Sequence, residues 1–102
     1  MRTIWSKIAG FRYHDGAAEL LSSGKIKAGA TLDLKPEPTN EHDPGAIRIE
    51  HGGVLLGYVP RVDNRLVGRA IKSGLKVTCR KSRLGFNATT IEWSDDRGDP
   101  LL

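Results

Sequence analysis

Near the start of the chain, Arg12, Tyr13 and His14 set a cation beside two flat rings. Rings at a strand end can be splayed, and one stacked on a nucleic-acid base contributes about 1–3 kcal/mol whatever the base. The same three residues also fit a plain structural role, with Tyr13 capping a small core and its neighbours solvated. A second cluster, His42 and Asp43, lies in the run KPEPTNEHDPGAIRIEHGGVLLGYVPR over residues 35–61. An ionised carboxylate only accepts hydrogen bonds. Asp43 therefore suits a hydroxyl donor and repels a phosphate, although an aspartate before Pro44-Gly45 can equally hold its own turn. Tyr58 and Arg61 leave this run at Gly-Tyr-Val-Pro-Arg, with burial of Tyr58 in the core as the alternative. Phe86 offers a further flat face in a basic turn.

Metal-dependent hydrolysis, such as nuclease action, is the competing chemistry, because His14, Asp15, His42, Asp43 and His51 are all ligand types. No spaced pair of the His-x-x-x-His or Cys-x-x-Cys kind is present, and a single cysteine removes the common zinc sets. There is neither a glycine-rich phosphate loop nor a Gly-x-Ser-x-Gly elbow. No metal, cofactor or catalytic residue is expected, and the chain reads as a non-enzyme. Arg97-Gly98-Asp99 is taken as a chance tripeptide.

The elements that must position these residues follow from periodicity. Thr3 to Tyr13 reads as a strand with apolar residues on both faces, and so as a well-covered one. Ala17 to Ser22 reads as a short amphipathic helix ended by Ser23-Gly24, placed to plug one end of a barrel. Ala30 to Lys35 is a strand with Leu32 and Leu34 inward. Pro36 and Pro38 deny helix to the polar run, and Asn40, Asp43, Pro44 and Gly45 are turn formers. Ile47 and Ile49 alternate with Arg48 and Glu50, Gly52-Gly53 marks a hairpin, and Val54 to Val59 returns until Pro60 stops the ladder.

After Pro60 the period turns helical. Arg61, Arg65, Arg69 and Lys72 form one stripe and Val62, Leu66, Val67, Ala70 and Ile71 the other. Asp63 is expected to cap this helix, with Val62 and Val67 as a staple, and Gly74 to end it. Strands follow over Leu75 to Lys81 and Ala88 to Trp93. Residues 94–102 read as an acidic, frayed tail beyond a single domain over 1–93. The fold class is mostly β: a small antiparallel β-barrel of the oligonucleotide-binding or SH3-like type, with one short plugging helix and one basic amphipathic helix.

Composition narrows the partner. With 102 residues, 38% hydrophobic and 27% charged, the chain suits one globular domain. No apolar run approaches the ~18 residues of a membrane helix, and the alternating start is unlike a secretory signal. A cytoplasmic place is expected, which one cysteine, Cys79, fits. The net charge of +4 hides an asymmetry: residues 1–60 balance, 61–83 carry +7 and 84–102 carry −3. A local surplus of that kind points to a polyanion, since binding responds to the field at a patch.

The run EPTNEHDPGAIRI followed by a hairpin and GYVPR resembles the signature of the HIRAN domain, a small β-barrel at the N-terminus of fork-remodelling translocases and in stand-alone bacterial proteins. Gly10-Phe11-Arg12-Tyr13 is similar to the family's first motif, and the likeness spans roughly residues 5 to 92. It implies a module that grips the 3′ end of single-stranded DNA. Arg12 would sit on a phosphate, Tyr13 and His14 would contact terminal nucleotides, and Asp43 would accept a bond from the 3′ hydroxyl. Tyr58 would face sugar or base, and Arg61 phosphate. His42 stands where the family usually has an aromatic ring, which implies weaker, pH-dependent stacking. Expected partners are thus a single-stranded DNA 3′ end, with RNA left open, and a DNA-processing complex. A protein-interaction barrel is the alternative.

Overall fold

The computed structural model describes residues 1–94, so the expected tail lies, from residue 95 on, outside the described residues. Six strands form one antiparallel sheet: β1 (Arg2–Lys7), β2 (Thr31–Pro36), β3 (Ile47–His51), β4 (Val54–Tyr58), β5 (Thr78–Lys81) and β6 (Ala88–Trp93). Their order is β1-β6-β5-β2-β3-β4. Helix α1 spans Ala17–Ser22 and helix α2 Arg61–Lys72. Alternation decides the inner face: Leu32, Ile47, Ile49, Leu56, Cys79 and Ile91 are buried, while their strand neighbours Thr31, Asp33 and Arg80 stay exposed. Helix α1 contributes Ala17 and Leu21 to this core, and α2 contributes Val67 and Ala70.

The ladder is open, and its two ends meet at one point. Ala9 forms an isolated bridge with Tyr58, its N–H donating to Tyr58 O at 2.8 Å and its carbonyl accepting from Tyr58 N at 2.9 Å. Gly57 makes this approach feasible. A Cβ there would lie 2.4 Å from Ala9 O and 2.6 Å from Ile8 Cγ2, and its φ of 156° is one that side-chain-bearing residues rarely adopt. The register of β4 against β3 also shifts here, Ile49 facing Gly57 while Glu50 faces Leu55, so Leu56 is the extra residue of a bulge.

Five local expectations change. The first strand ends at Lys7, because Gly10 takes a left-handed φ of 71° and the chain then tightens into a 3-10 turn over Phe11–Tyr13. Nor is that strand covered on both faces. It pairs only with β6, and Trp5 on its outer face is 68% exposed. Asp63 does not cap α2: extended Pro60 lets the helix begin at Arg61, and Asp63 instead accepts a 2.7 Å bond from Ser6 Oγ. With the start so placed, Val62 is 88% exposed and no staple forms. β5 starts at Thr78 and not at Leu75, whose N–H caps α2 by bonding Ala70 O while Gly74 N–H bonds Ile71 O.

Replacing Gly57 by Ala should cost roughly 3 kcal/mol or more, since neither backbone can yield without breaking the bridge. Gly68→Ala in α2 should instead gain about 0.5–1 kcal/mol, because its added methyl meets nothing closer than Ile47 Cδ1 at 3.9 Å. Urea unfolding of the two variants checks both signs.

Candidate functional site

The Ala9–Tyr58 bridge draws the 3-10 turn toward the loop before β3. Between them runs an open groove of about 540 Å³ whose lining includes Tyr13, His42, Asp43, Tyr58 and Arg61. Five residues singled out in the sequence therefore share one surface. The Tyr13 ring is 88% exposed, and His14 turns toward Tyr58, their ring centroids 5.8 Å apart. Arg12 and Phe86 lie off this lining. The Arg12 guanidinium sits 5.2 Å over the Phe11 ring, whose edge meets Phe86 in a perpendicular pair at 5.1 Å. They make a cation–aromatic strip beside the groove.

The loop carrying His42 and Asp43 is built by side chains bonding backbone. Asn40 Oδ1 accepts from the N–H groups of His42 (2.8 Å) and Asp43 (3.0 Å). Asp43 Oδ1 accepts from Gly45 N–H at 2.8 Å, the expected turn bond, while Oδ2 accepts from Asn64 Nδ2 at 2.8 Å. Arg61 ties the loop to α2, donating to His42 O at 2.8 Å with its Nε 3.5 Å from Asp43 Oδ2. The Asn64 amide, then the Gly45 N–H, then Arg61 and Arg65 hold the Asp43 carboxyl below its ordinary pKa. It is therefore an anion at neutral pH, with lone pairs left over, since a carboxylate has about four acceptor sites.

A polar chain beneath the groove fixes Tyr58. Its hydroxyl donates to Glu37 Oε1 at 3.0 Å, and the same oxygen accepts from Asn40 Nδ2 at 2.7 Å. Glu37 Oε2 meets Arg48 at 3.3 Å, and Arg48 and Lys35 both pair with the buried Glu50, at 2.8 and 3.1 Å. Asn40 above all, with Tyr58 and Arg48, lowers the pKa of Glu37, and Lys35 leads in lowering that of Glu50. Burial, with the bond to Glu37, raises that of Tyr58. Half-buried and anchored by its hydroxyl, Tyr58 offers a fixed ring face, whereas Tyr13 offers a free one.

Sequence reasoning missed Glu37 and Asn64. Asn64 carried a readable signal: a polar residue three positions before buried Val67, on the inward face of a helix, must find a polar partner. The basic turn also differs from expectation. Lys81 is buried, its pKa lowered by burial, and its ammonium donates to the carbonyls of Ser82 and, at 2.7 Å, Gly85. Its ammonium is engaged in holding the turn and is not presented to a ligand. Cys79 is fully buried, its thiol pushed up to about 12 by burial.

A model of the HIRAN domain family matches residues 1–88. The chain belongs to the HIRAN domain family. Among solved structures, the HIRAN domain of human HLTF is similar with a TM-score of 0.73 at 13% identity, over 89% of this chain and 74% of that one. A protein from Lactobacillus plantarum is similar with a TM-score of 0.71 at 20% identity, over 88% and 91%. At such identities the likeness concerns the fold. None of the curated proteins matches the sequence. HIRAN domains are DNA-binding modules, generally non-catalytic in themselves. No helix among the described residues of this HIRAN chain is long and apolar enough to cross a membrane, and no group of three or more metal-ligating side chains occurs among them.

Two outcomes follow for this HIRAN site. Asn64→Ala should raise the Asp43 pKa toward the ordinary carboxylate value, read from a side-chain NMR titration; an unmoved titration would assign the shift elsewhere. Because Asp43, Glu37 and Glu50 are depressed on folding, their stabilisation is complete above the unfolded pKa of about 4 and is lost as pH falls through the lower folded values. Denaturant midpoints should be flat from pH 7 to about 5 and decline below about 4.

Proposed function

We propose that this HIRAN chain captures the free 3′ end of single-stranded DNA without reading its bases. The observation that carries this is the convergence of Tyr13, His42, Asp43, Tyr58 and Arg61 on one groove. Exposed Tyr13 and anchored Tyr58 stack on bases or sugar, and His42 adds a smaller ring. His14, packed on Tyr58, sits beside the terminal nucleotides. Arg61 has donors beyond those that hold the loop, and these meet a phosphate. Arg12, spread on Phe11, takes the next phosphate, with Phe86 as a neighbouring stacking face.

Asp43 supplies the end selectivity. Its charge is fixed by Asn64 and Gly45, so it accepts a bond from a terminal hydroxyl and repels a phosphate in the same position. Two stacked bases and two or three phosphate contacts amount to about 4–8 kcal/mol, which makes the module a weak binder, micromolar at the tightest. Affinity should fall with salt at a log–log slope of about −1.5 to −2, from roughly 0.7 per neutralised phosphate. Such a module serves DNA repair or replication-fork processing as one part of a larger complex.

Fluorescence titration with an oligothymidylate bearing a 3′ hydroxyl, against the same strand with a 3′ phosphate, tests the reading. The hydroxyl end should bind more tightly, and equal affinities would remove end capture. Asp43→Ala should erase the difference while charge-driven binding persists. Tyr13→Ala should weaken binding about 5- to 150-fold, the equivalent of 1–3 kcal/mol, with the unfolding midpoint unchanged, because an 88% exposed ring contributes little to the fold.

A further inference from the structure

On the far side of the Asp43–Pro44 loop lies a second groove, of about 570 Å³, between that loop and α2. Asp43, Ala46 and Asn64 line both grooves, and the remaining walls of the second differ in chemistry from those of the first. Pro36, Pro38, Pro44 and Ile47 line one side, and Arg65, Arg69 and Lys72 stand along the other. All three cations are exposed and none enters a close ion pair among the described residues, although Arg65 also acts on the Asp43 carboxylate in the same lining; Arg69 and Lys72 stand further along the wall. No aromatic ring lines it, so it offers bases no stacking platform.

Gly68 is the second, independent observation. It sits inside α2 and lines the groove. A helix-interior glycine costs about 1 kcal/mol relative to alanine, yet nothing in the fold asks for one here. Its φ is not positive, and an added Cβ would meet only Ile47 Cδ1, at an ordinary 3.9 Å. What the missing side chain does provide is space in the groove.

We infer that this groove binds a short acidic peptide segment of another protein, with an apolar side chain seated over Gly68 and carboxylates facing Arg65, Arg69 and Lys72. An apolar wall rewards a leucine-sized side chain by removing it from water, and a row of unpaired cations rewards neighbouring carboxylates and steers their approach. Nucleic acid would satisfy the cations but leave the prolyl wall without a partner, which is why a peptide is favoured. Such a site would let the module hold a DNA-processing partner and a DNA end side by side.

The test uses the full chain and two fluorescent twelve-residue probes. One alternates aspartate with leucine and proline, and the other has each leucine replaced by serine at equal charge. The leucine probe should bind at least tenfold more tightly by fluorescence polarisation. Gly68→Leu, which fills the groove, should weaken it at least tenfold while raising or preserving the melting temperature and leaving oligothymidylate affinity unchanged. Arg69→Glu should weaken the leucine probe without altering the hydroxyl-against-phosphate preference of DNA. Equal binding of the two probes, or full peptide binding by Gly68→Leu, would overturn the inference. So would a loss of oligothymidylate affinity in Gly68→Leu, which would assign the groove to nucleic acid.

Discussion

The close approach of β4 to Ala9 is the constraint on which the rest depends. Two backbone hydrogen bonds at 2.8 and 2.9 Å join Ala9 and Tyr58, and they form only because Gly57 has no side chain to fill the gap. That one bridge draws the ends of an open six-stranded sheet together. It also brings the 3-10 turn of Tyr13, which follows Ala9, within reach of the ring that follows Gly57. A groove with a ring on each side is thus a by-product of closing the sheet.

Electrostatics then hold the groove's floor. Lys35, Glu50, Arg48 and Glu37 form a continuous chain of paired charges that ends on the Tyr58 hydroxyl and the Asn40 amide. Asn40 in turn organises the backbone of His42 and Asp43. The fixed ring and the fixed carboxylate therefore share one support, so a charge placed outside the groove, on β2 or β3, bears on both. Preorganisation of this kind lowers the ordering cost of binding.

The basic segment over residues 61–83 is not one patch. Arg61 clamps the loop, Lys81 is buried in its own turn, and Arg80 leans on Gly29, Thr31 and, at 3.9 Å, Glu92. Arg65, Arg69 and Lys72 face a prolyl groove separate from the rings. Counting charges along a sequence overstates their focus, because lysine and arginine also serve as hydrogen-bond donors to carbonyls that the fold leaves unpaired.

Much was legible in the chain itself. Alternation in β2 and β3, the Gly52-Gly53 hairpin, the strand over Ala88 to Trp93, and the helix after Pro60 with its glycine stop all follow from physics acting within a few residues. The turn chemistry of Asn40 to Gly45 was of the same kind, and the groove residues were marked by their types. What no local pattern carried was who meets whom: Ala9 with Tyr58, Asp43 with Asn64 on another element, Asp63 with Ser6, and Phe86 with Phe11 away from the groove. Those pairings join positions 21 to 75 residues apart. They are decided by sheet register and closure, in which a single missing Cβ settles the contact, so only the tertiary structure could separate a ring beside the groove from one inside it.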